Sequence, residues 1–308
     1  MKNYVVVAGG INVDIKGKSL DRASLGSSNP GKIELSAGGV GRNIAHNLAL
    51  LKVPVILLSA VGYDAEGSKV LEETSGSGVC TEHVMHVNDQ ITGTYLALLD
   101  NNGEMIVAMS DMQILDRLDI NYFRSKMDII KEAGYIICDT NISKESIMFL
   151  KQAANSSEIP ICMEPVSVSK ASKLTDCLNG IDYITPNLDE LEALSGLGAP
   201  DFDVQKLANA LIDSGVKNVI TTLGKYGLCY TNKMGSKYYD SIKAEIADVT
   251  GAGDSLIAGF IYGMLKYKDA DAALKCGLAA ASITLNAKET VSPRMSEKEL
   301  EAVLKRAF

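Results

Sequence analysis

The chain has 308 residues, with 30 Lys and Arg against 38 Asp and Glu, a formal net charge of −8. An acidic chain without a basic stripe is a poor candidate for binding polymeric nucleic acid, whose phosphates need cationic neutralisation. With 46% hydrophobic and 22% charged residues it reads as an ordinary folded protein, long enough for about two domains or for one large α/β domain with insertions.

Aromatic residues make up 6% of the chain and Trp is absent, which argues against exposed stacking platforms. No apolar run approaches the ~18–20 residues that span a bilayer, and the apolar stretch near Met1 is too short for a signal sequence. Both point to the cytosol. The six cysteines lie scattered without a Cys-x-x-Cys pair, so buried reduced thiols are expected rather than disulfides or zinc ligands.

In chain order, the first apolar run is Tyr4–Ala8, followed by Gly9-Gly10-Ile11-Asn12-Val13-Asp14. Asn12 and Asp14 alternate across a strand end and can offer an amide and a carboxylate to vicinal hydroxyls of a sugar. Residues 15–37 are polar, rich in Gly and Ser, and too long for a simple βα loop. Next come Gly38, Gly39 and Gly41, which would let a substrate approach the backbone closely, and a helix over Gly41–Leu51 with Ile44, Ala45, Leu48 and Leu51 on one face. The run Val55–Ala60 predicts a second buried strand. Residues 90–112 predict an antiparallel hairpin turning at Asn101-Asn102-Gly103. Together with 15–37 it could form a small sheet over one edge of the main body, covering a ligand at the carboxyl ends of the strands.

Short apolar runs recur at Tyr135–Cys138, Ile159–Met163, Tyr183–Thr185, Val219–Thr222 and Gly227–Thr231. Unbroken runs of this length suit strands buried on both faces of a parallel sheet, and helical patterns lie between them. The alternation predicts a doubly wound α/β fold with right-handed crossovers. No repeat or linker divides the chain.

Familiar nucleotide motifs fail. Gly224-Lys225 is followed by Tyr226, so there is no Walker A loop, and Gly39-Val40-Gly41 does not continue into a dinucleotide fingerprint. The three histidines, His46, His83 and His86, read as structural or exposed rather than as hydrolase bases. The informative segment is Asp248-Val249-Thr250-Gly251-Ala252-Gly253-Asp254-Ser255, which runs into an apolar-faced helix. Small residues leave backbone N–H groups uncovered at a helix N-terminus, where the macrodipole favours an anion such as a phosphate in transfer. Asp254, in the first turn, could accept the proton of a hydroxyl beside that anion. A bare helix cap is the alternative for a lone Gly-x-Gly-Asp; the whole octet, late in an α/β chain, favours the catalytic role.

The pair formed by Gly38-Gly39-Val40-Gly41-Arg42-Asn43 and Asp248–Asp254 resembles the two signatures of the ribokinase-like (PfkB) carbohydrate and nucleoside kinases, in order, spacing and chain length. The resemblance implies a single domain over 1–308: a three-layer α/β/α, Rossmann-like body with a mainly parallel central sheet, and a lid from about 15–37 and 90–112. It implies an ATP-dependent kinase using Mg²⁺, and K⁺ in some members. Asp254 is then the base, Gly251, Ala252 and Gly253 the anion hole, and Asn12, Asp14, Gly39 and Asn43 the sugar ligands. Asn187-Leu188-Asp189-Glu190 looks like the family's Asn-x-x-Glu motif, with Asn187 near the ATP phosphates and Glu190 in the water shell of Mg²⁺; the same residues also spell a helix capping box. Thr222, Gly224 and Gly227 would line the nucleotide, and Asp248 and Thr250 would serve a monovalent cation.

Within the family, the stretch from Gly26-Ser27-Ser28-Asn29 through Gly39-Val40-Gly41-Arg42-Asn43 is similar to pseudouridine kinases, as are Met109–Met112, Cys138-Asp139-Thr140-Asn141 and Glu164-Pro165-Val166-Ser167. This similarity implies phosphorylation of the 5′-hydroxyl of pseudouridine. Ser28 and Asn29 could then meet the uracil edge, and Asp139 or Thr140 the ribose. Alternatives are a kinase for ribose, adenosine, inosine or a keto-deoxy sugar, a non-catalytic sensor, or an oxidoreductase. Relatives often dimerise through the lid, so a homodimer is a further expectation. After Ser282, Asn286–Thr290 departs from the family's usual loop.

Overall fold

The computed structural model describes residues 4–197 and 203–308. The first third of the chain runs through β1 (Val5–Ala8), β2 (Asn12–Ser19), β3 (Gly31–Gly38), α1 (Val40–Leu50), β4 (Val55–Leu58), β5 (Ala60–Gly62), α2 (Ala65–Gly76) and β6 (Met85–Val87). The middle contains β7 (Thr94–Leu99), β8 (Met105–Asp111), α3 (Ile120–Ser125), α4 (Met127–Lys131), β9 (Tyr135–Asp139), α5 (Lys144–Ser156), β10 (Ile161–Glu164), α6 (Val168–Ala171), β11 (Tyr183–Ile184) and α7 (Leu188–Ser195). The last third adds α8 (Val204–Asp213), β12 (Asn218–Thr222), β13 (Leu228–Asn232), β14 (Gly235–Tyr239), α9 (Ala252–Tyr267), α10 (Ala270–Leu285) and α11 (Glu297–Ala307).

Eight strands form the large sheet in the order β14-β13-β12-β11-β10-β9-β1-β4. Its residues alternate between two cores. In β1, Val5 and Val7 pack with α1, α9, α10 and α11, while Val6 and Ala8 pack with the helices of the middle segment. Both faces are therefore covered, which is why these strands read as unbroken apolar runs. Six strands are parallel; β13 and β14 run antiparallel to their neighbours. The run at 227–231 thus departs from the parallel pattern expected of it. Five residues separate β12 from β13, enough for a hairpin and too few for a crossover.

The smaller sheet has the order β3-β2-β7-β8. Strand β2 follows β1 after three residues and pairs antiparallel with β3 over its full length, from Asn12 opposite Gly38 to Ser19 opposite Gly31. It pairs parallel with β7, whose hairpin to β8 turns through residues 100–104. Every described cysteine is a free thiol, five of them buried. No described helix is long and apolar enough to cross a membrane.

Candidate active site

The carboxyl ends of β9 and β10 lie near the start of α9, where the charges of Asp139, Glu164 and Asp254 act on one another. Asp139 and Glu164 close adjacent parallel strands and stand opposite each other in register. Asp254 lies in the first turn of α9, and Asn43 reaches it from α1, donating from Nδ2 to Oδ2 at 2.9 Å. From β2, Asn12 donates to Oδ1 of Asp14 at 2.7 Å.

Electrostatics follow from this crowding. Burial pushes the Asp254 carboxyl up to about 7, opposed by the Asn43 hydrogen bond and reinforced by the charges of Asp139 and Asp14. Asp14 is also raised by burial, against the pull of Asn12, Lys16 and Arg42. Burial raises Glu164 and Glu190 as well; the charges of Glu190 and Asp254 add to the effect on Glu164. Among the described residues neither glutamate has a Lys or Arg ion-pair partner. Glu164 accepts from Thr185 Oγ1 and Val166 N, and Glu190 from Asn187 N, so these carboxylates suit the water shell of a hard divalent cation better than direct ligation.

The start of α9 has the form needed to hold an anion. Gly251 takes a left-handed conformation (φ 80°), and a Cβ there would meet the carbonyl of Thr290 at 2.1 Å, so only glycine fits. Ser255 N–H is bonded to Gly251 O at 2.9 Å, the first full α-helical bond of α9. Of the amides ahead of it, Ala252 N–H turns back to Val249 O at 3.4 Å, which leaves those of Gly253 and Asp254 to meet an anion. A Cβ on Gly253 would meet nothing within 4 Å. Ala252 and Gly253 border a cavity of about 540 Å³, with Thr222, Gly224 and Gly227 on one side and Leu256, Leu278 and Leu285 among its apolar walls. An apolar chamber opening onto a helix N-terminus suits a base with attached phosphates.

Other expected residues sit where local structure already engages them. Asn187 and Glu190 form a complete capping box on α7: Asn187 Oδ1 accepts from Glu190 N and Glu190 Oε2 from Asn187 N, both at 2.9 Å. Asp248 Oδ1 accepts from the backbone and hydroxyl of Thr250, and its Oδ2 lies 3.7 Å from Lys16 Nζ on β2. Burial works against ionisation of Asp248, but these partners hold its carboxyl below the usual range.

Three expectations meet local structure that stands against them. Asp139 does not face a sugar: its carboxylate is buried and accepts from the N–H groups of Gly10, Gly41 and Asn141 at 2.8–2.9 Å. The Thr140 hydroxyl is likewise buried and donates to Pro165 O. Gly39 and Gly41 pack closely on the loop after β1: a Cβ on Gly39 would lie 2.4 Å from the Gly10 carbonyl, and one on Gly41 would touch Gly9. Ser28 and Asn29 are exposed beyond the Ser19–Gly31 end of the hairpin, and the Asn29 side chain bonds to Ser24 and Ser27. Seven residues of strand place that end about 23 Å from Asn12, too far for either side chain to share its ligand.

Glu164 was visible in the sequence only as part of a family mark, and Arg42 only as a letter in the glycine motif. Arg42 is 2% exposed, with Glu73 as its ion-pair partner. Directly after Glu164 and Pro165, Val166 adopts φ 65°, a costly conformation for a β-branched residue and the kind of strain found at ligand sites.

Known proteins give the same picture. The pfkB carbohydrate kinase family pattern matches residues 2–298. A pseudouridine kinase of Escherichia coli is 36% identical over 297 residues, covering 96% of this chain and 94% of its own. A guanosine-inosine kinase of Exiguobacterium acetylicum is 28% identical, covering 95% and 98%. The structure of Arabidopsis thaliana ribokinase complexed with ribose and ATP superposes with a TM-score of 0.87 at 24% identity, covering 99% of each chain. The chain thus belongs to the PfkB family of carbohydrate kinases, phosphotransferases that act on an alcohol group.

Proposed function

We propose that the protein transfers the γ-phosphoryl group of ATP to the 5′-hydroxyl of pseudouridine, giving pseudouridine 5′-phosphate and ADP. The observation that carries the chemistry is Asp254, held by Asn43 in the first turn of α9 beside the uncovered backbone of Gly253. The 36% identity to a pseudouridine kinase over nearly both whole chains supports the choice of acceptor.

In this reading Asn12, Asp14 and Asn43 hold the sugar, and Asp254 accepts the hydroxyl proton as oxygen attacks phosphorus. The new O–P bond forms as the bond to ADP breaks. The α9 amides stabilise charge on the moving group, so the protein contributes positioning and electrostatics more than covalent chemistry. Thr222, Gly224 and Gly227 would line the nucleotide, with Asn187 near its phosphates. Glu190, with Glu164 beside it, would hold Mg²⁺, which neutralises phosphate charge when bound. A potassium ion at Asp248 and Thr250 would compete with Lys16 for the Asp248 carboxylate.

The smaller sheet would act as a lid. Its strands expose Ile33, Leu35, Leu98, Met105, Val107 and Met109, and a second copy of the chain would cover this apolar area. Light scattering should therefore give the mass of a dimer, and that of a monomer after Leu35→Glu. A monomeric parent would reject the interface.

The deciding experiment is ATP consumption with pseudouridine, uridine, adenosine, inosine and ribose, each with and without potassium. Pseudouridine should be turned over fastest. A specific observation favours a second reading: Ser28 and Asn29 stand at the far end of the β2–β3 hairpin, about 23 Å of strand from Asn12, which weighs against their meeting a uracil edge. Rapid turnover of inosine or ribose with none of pseudouridine would establish another sugar or nucleoside as the acceptor.

A further inference from the structure

We propose that Arg42 is a positioning residue for phosphoryl transfer: it holds the side-chain amide of Asn43 in the one orientation that presents a donor to Asp254. The proposal rests on the reading of Asp254 as the base. Arg42 lies in the first turn of α1, 2% exposed, and three elements bind its guanidinium. From α2, Glu73 Oε1 accepts from Nη2 at 2.5 Å and Thr74 Oγ1 from Nε at 3.3 Å. From the end of β3, the Ala37 carbonyl faces Nη1 at 3.4 Å, and on α1 itself Asn43 Oδ1 accepts from Nη1 at 3.2 Å.

The chemistry of the groups fixes the direction of this relay. A guanidinium only donates, so the Asn43 atom facing it must be the oxygen, and the nitrogen must face Asp254. Flipping the amide would set a carbonyl oxygen against a carboxylate and an N–H₂ against a cation. Both contacts would be lost. Glu73 is half-exposed on α2 and supplies the charge that lets Arg42 remain buried. A merely structural arginine would need the Glu73 pair, but not the bond to Asn43.

The test compares the parent with Arg42→Met, Arg42→Lys, Glu73→Gln, Asn43→Ala and the double variant Arg42→Met/Asn43→Ala, with Asp254→Asn as control. Rates are measured with ATP and pseudouridine, with adenosine and ribose as alternative acceptors, together with melting temperatures. Loss of a hydrogen bond to a charged group should lower kcat about 10- to 100-fold in Arg42→Met. Arg42→Lys should recover part of it. In the Asn43→Ala background the same change should cost less than about 3-fold, because the group it acts through is gone.

A second readout is the acid limb of the kcat profile, which should move to higher pH in Arg42→Met as Asp254 loses its donor. The other charged groups facing Asp254 are Asp14 on β2, Asp139 on β9 and Glu164 on β10; Arg42 also acts on Asp14, so Arg42→Lys, which keeps the charge, is the control for that route. A kcat within twofold of the parent in folded Arg42→Met, or an undiminished effect in the Asn43→Ala background, overturns the proposal. If Arg42→Met does not fold, Glu73→Gln and Arg42→Lys decide: lowered kcat at an unchanged melting temperature supports the relay, and unchanged kcat in both rejects it. Normal turnover by Asp254→Asn would remove the base and the relay together; an inactive Asp254→Asn beside a silent Arg42→Met removes the relay alone.

Discussion

The amide of Asn43 donates to the carboxylate of Asp254 across 2.9 Å, joining residues 211 positions apart. The contact stabilises the ionised form of a group that burial otherwise drives towards protonation. Asp254→Asn keeps the shape and removes the proposed proton acceptor, so binding of acceptor and ATP should persist while kcat falls at least about 10³-fold. In the parent, kcat should rise with pH through about 7 as Asp254 ionises. Steady-state kinetics between pH 5.5 and 9 check both; a flat profile would reject Asp254 as the titrating base.

The same raised carboxyl has an opposite effect on stability. Its folded value near 7 exceeds the ordinary 3.8, so the native state binds the proton more tightly than the unfolded chain does. Its contribution is fully present below about pH 4 and is lost as pH rises through 7. Asp254→Asn should therefore melt higher than the parent at pH 8, with the gap closing towards pH 4. Calorimetry at several pH values would show it.

Two glycines of one motif should respond differently to alanine. At Gly253 the added methyl enters open space in a helix, so Gly253→Ala should fold with equal or up to ~1 kcal/mol greater stability yet lose at least tenfold in turnover by crowding the phosphate. At Gly251 the methyl would strike the Thr290 carbonyl in a left-handed backbone, so Gly251→Ala should lower the melting temperature. Paired melting and activity measurements separate the two.

Asp139 should behave as a structural residue. Asp139→Ala leaves the buried N–H groups of Gly10, Gly41 and Asn141 without their acceptor, at a cost of at least about 3 kcal/mol. The expected result is a clear shift of the denaturation midpoint. A stable variant whose only defect is a raised substrate KM would instead return Asp139 to the sugar site.

Lys16 and Asp248 bring the smaller sheet to the anion loop through a half-exposed pair worth under ~1 kcal/mol. If Asp248 also serves potassium, Lys16→Met should leave stability unchanged and lower the potassium concentration needed for half-maximal activation. Activity independent of potassium in both proteins would discard the cation role.

The parts of the fold legible in the sequence were those whose cause is local. Apolar runs such as Val5–Ala8 announced buried strands, and Gly251-Ala252-Gly253-Asp254 announced the start of α9. Less legible were residues whose role depends on remote partners. An arginine ordinarily reads as surface, and nothing near Arg42 in sequence shows that Glu73 will meet it in the interior. Asp139 looked available for a sugar because its three donors come from separate stretches of chain. Ser28 and Asn29 were misjudged because the length of the β2–β3 hairpin, and so the reach of its tip, depends on pairing register.

The strand order has a consequence for how the protein emerges from synthesis. Strand β1 can pair with β4 early, but its other edge waits for β9; β10, β11 and β12 then join one at a time in the order in which they are made, and the β13–β14 hairpin ends the row. Parallel pairings across long stretches of chain form slowly. Asp254 follows that final hairpin, so on the proposed reading of Asp254 as the base a chain still lacking α9 would have its sheet but no means of phosphoryl transfer.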